Sequence, residues 1–91
     1  MITYIIDLNK IYDKKSLYIY LKEVFCDCEF YGSNLDALLE VLMSLNNVNV
    51  KIVYNKKVLY ESLGEYSVSL IECFDIVKKD NKKINVIIEE V

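Results

Sequence analysis

The feature that most constrains the fold of this chain is the alternation of short β-type segments with amphipathic helical segments. Apolar and β-branched residues predict strands at Thr3–Leu8, Val48–Tyr54 and Ile84–Ile88. Helical connections between strands imply parallel pairing with right-handed crossovers. The sequence therefore predicts an α/β fold, in which three to four helices cover a three-stranded parallel sheet. The near-continuous apolar run of the last strand predicts burial on both of its faces.

The segments between these strands carry helix signals. Helices are predicted from Asp13 to about Phe25, from Ser33 or Asn34 to about Leu45, and from about Glu65 to Lys79, with a short helical turn at Lys57–Ser62. Either Ser33 or Asn34 can cap the second helix, and Ser33 with Asp36 approximates a capping box. The predicted order is β-α-α-β-(α)-α-β.

Length and cysteine content predict one cytoplasmic domain. The chain has 91 residues, of which 54% are hydrophobic, and it has no proline and nothing resembling a linker. No apolar run approaches the roughly 18 residues of a membrane span, and Met1–Asp7 does not read as a signal peptide. An odd number of cysteines (Cys26, Cys28 and Cys73) favours reduced thiols in the cytosol. We expect residues 1–91 to form a single domain that is monomeric when free.

Charge is distributed unevenly along the chain. Glu23 to Val50 contains five acidic residues and no lysine, and the whole chain lacks arginine and histidine. A nucleic-acid binder without arginine would be unusual, whereas an acidic patch suits a basic protein partner. Cys26 and Cys28 could supply only part of a zinc site, which needs four suitable ligands. We expect no metal and no cofactor.

The second predicted helix separates an apolar stripe from an acidic one. At 100° per residue one arc contains the core-facing leucines Leu35, Leu38, Leu42 and Leu45. Asp36 and Glu40 lie four residues apart on the opposite arc, flanked by Leu39 and Met43. A solvated helix face is the plain interpretation. Apolar residues beside unpaired carboxylates favour a partner-binding patch instead.

The residues around this helix resemble a known family. The segment Phe30-Tyr31-Gly32-Ser33-Asn34-Leu35-Asp36-Ala37-Leu38 resembles the aromatic-Tyr-Gly-x-Asn-Leu-Asp-Ala-Leu signature of the barstar family, and Glu40 follows where the family carries an acid. Length, element order and the terminal strand also look like that family. The resemblance implies a barstar-like fold and a cytoplasmic inhibitor of a microbial, guanyl-preferring ribonuclease that is basic and extracellular.

The resemblance also implies roles for individual residues. Glu40 would occupy a phosphate site of the ribonuclease, and Asp36 would bind a second cationic or donor group. Phe30 and Gly32 would contribute loop contacts, and Leu39 an apolar contact. Asn34 would order the loop and the start of the helix, or serve only as its cap. We expect Tyr31 to be a core residue.

Several positions depart from the family pattern. Phe30 replaces a tyrosine, Leu39 a tryptophan and Glu40 an aspartate, while Ile76 falls where the last helix of the family presents an acid. Asp75 or Glu72 could supply that acid from a neighbouring position. These departures leave open a different basic target, such as another toxin nuclease, for which the protein would be an immunity protein or antitoxin.

A catalytic alternative is less favoured. In an enzyme, Asp36 and Glu40 would act as a paired acid and base. No histidine, no nucleophile–base pair and no glycine-rich phosphate loop accompanies these two carboxylates. The sequence therefore favours a binding protein over an enzyme.

Overall fold

The computed structural model describes all 91 residues. Its strands are β1 (Thr3–Asp7), β2 (Asn49–Tyr54) and β3 (Asn85–Glu90). Its helices are α1 (Lys14–Val24), α2 (Leu35–Ser44), α3 (Lys56–Leu63) and α4 (Tyr66–Asp80), with a 3-10 turn at Leu8–Lys10. The α/β prediction, with three parallel strands and up to four helices, is confirmed. The short turn predicted at Lys57–Ser62 is a full helix, α3.

The strands pair in sequence order, β1-β2-β3, and both pairings are parallel. Right-handed crossovers in this order carry every helix to the same side of the sheet. Burial agrees, because the even-numbered residues Tyr4, Ile6, Val50, Ile52 and Val86 are buried in the core. We call the opposite side, formed by the odd-numbered residues of the strands, the open face.

The prediction that β3 is buried on both faces is therefore wrong. Val86 lies in the core, but Ile87 points to the open face and is exposed. Ile5 of β1, which belongs to the same kind of apolar run, is also exposed. A run of consecutive apolar residues cannot reveal whether a second layer of helices exists.

The helices begin at side-chain caps that the sequence encodes. Asp13 caps α1, and its carboxylate accepts a 2.7 Å hydrogen bond from the backbone N–H of Ser16. The Ser16 hydroxyl in turn accepts from the backbone N–H of Asp13, which completes a capping box. Asn55 caps α3 in the same way through the N–H of Val58.

Candidate functional site

The start of α2 is fixed by Asn34. Its side-chain oxygen accepts a 2.8 Å hydrogen bond from the backbone N–H of Ala37. Ser33, the alternative cap, instead accepts a 3.1 Å hydrogen bond from Lys22 Nζ of α1. Asn34 thus holds the first turn of the helix, while Lys22 ties the preceding loop to α1. The loop before α2 contains no lysine of its own, but Lys22 of α1 lies beside it in the folded protein.

Gly32 shapes that loop. Its φ is +89°, a backbone conformation that strongly favours glycine. A Cβ at this position would lie 3.3 Å from the Cβ of Ala37. Glycine therefore allows the loop to pass close against the first turn of α2.

The two carboxylates of α2 are exposed and unpaired. Asp36 and Glu40 both face solvent, and neither lies within ion-pair distance of a lysine. The structure holds one ion pair, between Lys51 and Glu89 on the open face. Asp36 lies in the first turn, where the positive end of the helix dipole stabilises its charge. Glu40, one turn later, has no compensating charge in the protein.

Apolar side chains border these carboxylates. Leu39 is half-buried and packs against the core, and Met43 is exposed one turn further along α2. The surface around Glu40 is therefore partly apolar and partly anionic.

The two aromatic residues of the loop are placed opposite to expectation. Phe30 is 8% exposed and packs edge-on against Tyr18, with ring centroids 6.5 Å apart. Tyr31 is 78% exposed. The prediction that Tyr31 is a core residue is wrong, because Phe30 fills the core and leaves Tyr31 outside. The aromatic side chain that this loop exposes to solvent is thus Tyr31, whereas Phe30 packs into the core beneath the loop.

The carboxyl end of α2 is held by a residue that sequence reasoning missed. Asn81 is buried at the end of α4. Its Nδ2 donates to the carbonyls of Leu42 and Leu45 at 3.0 and 3.1 Å. Its Oδ1 accepts from the N–H of Lys83. Carbonyls at the end of a helix lack intrahelical partners, so Asn81 satisfies them and fixes α2 against α4.

A further contact ties the loop between α1 and α2 to the sheet. The Tyr4 hydroxyl of β1 donates to both carboxylate oxygens of Asp27, at 3.1 and 3.0 Å. It also lies 3.5 Å from Cys28 Sγ. The Cys28 contact, burial and the Asp27 carboxylate all raise the pKa of the Tyr4 phenol, which therefore remains a proton donor. The loop preceding α2 is thus anchored at its first half by Tyr4 and at its second half by Lys22.

Helix α4 packs beside α2 and exposes both apolar and charged side chains. Burial, followed by the negative charge of Asp36, raises the pKa of Cys73 to about 11. Ile76, three residues after Cys73 and four after Glu72, is exposed. Glu72 lines a groove beside α3, and Asp75 acts on the pKa of Tyr54. The surface of α4 one turn from Cys73 thus includes an exposed isoleucine, Ile76.

Most of the residues singled out from the sequence lie on α2 or in the loop before it. Asn34, Asp36, Leu39 and Glu40 lie on α2, and Gly32 lies in the loop against its first turn. Phe30 lies beneath that loop. No three cysteine, aspartate or glutamate side chains converge as potential metal ligands, and none of the helices has the length and apolarity of a membrane span.

Comparison with known proteins agrees with this architecture. The family model described as Barstar (barnase inhibitor) matches residues 1–89 of the chain. A comparison with the curated proteins finds no match. Because the family match covers all of the secondary structure except the last residue of β3, this chain belongs to the barstar family of inhibitors.

Proposed function

We propose that this protein inhibits a basic, guanyl-preferring microbial ribonuclease by covering its active site with α2 and the loop before it. The observation that carries the proposal is the pair of exposed carboxylates, Asp36 and Glu40, on a helix capped at one end by Asn34 and at the other by Asn81. Their charges are preorganised and have no cation of their own. A cationic partner therefore gains their attraction without first breaking an ion pair.

The chemistry of ribonucleases explains why such a surface inhibits. A ribonuclease needs cationic groups to bind the phosphate and to stabilise charge in the transition state. Glu40 takes the place of that phosphate, and Asp36 binds a neighbouring cationic or donor group. Once the carboxylates occupy these positions, RNA has no access. The mechanism involves no catalysis by this protein.

The residues around the acids complete the contact. Leu39 supplies an apolar contact beside Glu40, and Gly32 lets the loop approach the partner's backbone closely. Asn34 orders both the loop and the helix start. Tyr31, which is exposed, provides the aromatic anchor, and Phe30 contributes through the position in which it holds the loop.

The biological setting follows from the same electrostatics. The protein is proposed to act in the cytoplasm as a monomer, against a ribonuclease that its producer exports. Long-range attraction between the acidic helix and a basic enzyme speeds their encounter. A rapid encounter protects the cell from an enzyme that would otherwise cut its RNA.

One observation favours a second candidate, an immunity or antitoxin role against a different basic nuclease. Helix α4, which packs beside α2, presents exposed Ile76 where the family pattern has an acid. Leu39 is a smaller anchor than the tryptophan of that pattern. The contact surface is thus more apolar than the pattern, which suits a target with fewer cationic groups around its active site.

Titration calorimetry against a panel of small basic ribonucleases and toxin nucleases tests both candidates. We expect a guanyl-preferring ribonuclease to bind tightly, with affinity falling as salt rises because the contact is electrostatic. The double variant Asp36→Asn/Glu40→Gln should lose most of this affinity. Tight binding to a toxin nuclease alone would support the second candidate.

A matched control distinguishes the effect of the two α2 acids on binding from the effect of net charge. The double variant Glu61→Gln/Glu72→Gln removes the same charge from two other exposed helical positions, on α3 and α4. It should bind with nearly the original affinity. Failure of every nuclease in the panel to bind, or equal losses in the two double variants, would contradict the proposal.

A further inference from the structure

A concave surface lies between α3 and α4, at the carboxyl ends of β2 and β3, apart from the α2 surface described above. It is a groove of about 820 Å³, within the roughly 300–1,000 Å³ usual for small-molecule sites. Its apolar lining consists of Tyr54, Leu59, Tyr60, Val68 and Ile71.

Charged side chains line the same groove. Glu61, Glu72 and Glu90 contribute carboxylates, while Lys56 and Lys57 contribute ammonium groups from the first turn of α3. None of the five takes part in an ion pair, since the single pair of the molecule lies on the open face. The lining therefore has an excess of negative charge that is free to act on a ligand.

Each of the two lining tyrosines donates a hydrogen bond to a carboxylate, Tyr54 to the lining residue Glu90 at 3.2 Å and Tyr60 to Glu65 beside the groove at 3.0 Å. Burial and then Glu90 raise the pKa of Tyr54, with a further contribution from Asp75. Each ring thus has a carboxylate at its hydroxyl end. Aromatic faces beside carboxylates favour a cation.

We propose that this groove binds a small organic amine: an apolar body that rests on Val68 and Ile71, with an ammonium group between the tyrosine rings and the carboxylates. The groove is lined by residues of α3, α4 and the ends of β2 and β3, and no residue of α2 takes part in it. An occupant therefore leaves Asp36 and Glu40 accessible. The site does not depend on the inhibitor function proposed above.

The test compares probes that share a body and differ in charge. The full-length ¹⁵N-labelled protein is titrated at pH 7 with phenethylamine, a cation, and with 3-phenylpropionate, an anion. We expect phenethylamine to shift the amide signals of Leu59, Tyr60, Val68 and Ile71, and to bind about tenfold more tightly than the anion. Equal binding of the two probes, or shifts elsewhere on the protein, would overturn the proposal.

Two matched variants locate the site. Val68→Lys places an ammonium group in the groove at an exposed helical position, so it should abolish the phenethylamine shifts. Val58→Lys makes the same change on α3 at an exposed residue outside the lining, and it should leave them intact. Thermal unfolding of both variants verifies that the fold is retained. Persistence of the shifts in Val68→Lys would contradict the assignment.

Discussion

Two exposed surfaces of this protein, the outer face of α2 and the open face of the sheet, both combine apolar and charged side chains. On the open face, Lys51 and Glu89 neutralise each other across 3.2 Å. On α2, Asp36 and Glu40 have no cation within ion-pair distance. The open face therefore pairs its one lysine with a carboxylate, whereas both carboxylates of α2 are without a cation.

The two surfaces also differ in how they are supported. The exposed residues of the open face, such as Ile5 and Ile87, project from a sheet that backbone hydrogen bonds between neighbouring strands hold together. Helix α2 depends on individual side chains, because Asn34 holds its start and Asn81 its end. A surface supported in this way is sensitive to substitutions that the open face would tolerate.

The largest effect is expected from Glu40→Gln, which removes one charge from α2. If Glu40 occupies a desolvated phosphate site, its loss costs about 2–5 kcal/mol of binding free energy. Glu89→Gln removes an equal charge from the open face and should leave the affinity for the ribonuclease nearly unchanged. Titration calorimetry measures both. Equal losses would mean that net charge, rather than position, drives binding.

Asn81→Ala should have the next largest effect, on stability. It removes the donor to the carbonyls of Leu42 and Leu45 in a buried site, so we expect the free energy of unfolding to fall by about 3 kcal/mol. Asn85→Ala removes only an exposed 3.4 Å contact to Asn49 and should cost no more than about 0.5 kcal/mol. Urea unfolding of the two variants compares them, and similar losses would refute the role of Asn81.

Gly32→Ala should destabilise the loop before α2. At a φ of +89° a Cβ costs about 1–2 kcal/mol, and here it also presses on Ala37. Gly64→Ala is the matched control, because Gly64 also has a positive φ but nothing within 4 Å of the added Cβ. The unfolding free energy should fall in both variants, because Gly64, with φ 62° and ψ −140°, also has a backbone conformation that disfavours a Cβ. Ribonuclease binding should weaken only in Gly32→Ala. Unchanged ribonuclease binding in Gly32→Ala would mean that the loop is not part of the contact surface.

The smallest expected effect is on the pH dependence of the unfolding free energy, through Cys73 of α4 and Asp36 of α2. The pKa of Cys73 is raised from 9.0 to about 11, mainly by burial and then by Asp36. Between these two values the unfolded chain loses the thiol proton before the folded protein does, so stability falls as pH rises. Below pH 9 this contribution is fully present.

Asp36→Asn lowers the pKa of Cys73, and it should therefore make the alkaline loss of stability shallower. Urea unfolding at several pH values across this window measures the slope. Glu61→Gln, at an exposed position of α3 that takes part in no ion pair, should leave the slope as it is in the original protein. An unchanged slope in Asp36→Asn would place Asp36 away from α4.

Much of the fold follows from local sequence signals, and the errors have physical causes. The caps at Asp13 and Asn34 are visible in the sequence because a capping residue and its N–H partner lie within three positions. The exposure of Ile87 is not visible, because it depends on which side of the sheet the helices take. The prediction reverses the burial of Tyr31 and Phe30, because an irregular loop has no periodicity that indicates which side chain points inward.

The candidate site shows the same division. The acidic stripe of Asp36 and Glu40 follows from helical spacing alone. The contribution of Asn81 does not, since 39 residues separate it from Leu42. The positions of Glu72 and Asp75 on the α3 side of α4 likewise depend on how α4 packs between its neighbours. Contacts between distant segments required the structure.

The most direct test of the central claim, that the acidic face of α2 occupies a ribonuclease active site, is the pattern of inhibition. Initial rates of cleavage of a short RNA substrate are measured at rising substrate concentrations, with the original protein and with Glu40→Gln. We predict competitive inhibition, with KM raised and kcat unchanged, that weakens strongly in Glu40→Gln. A fall in kcat at constant KM, or equal inhibition by both proteins, would contradict the claim.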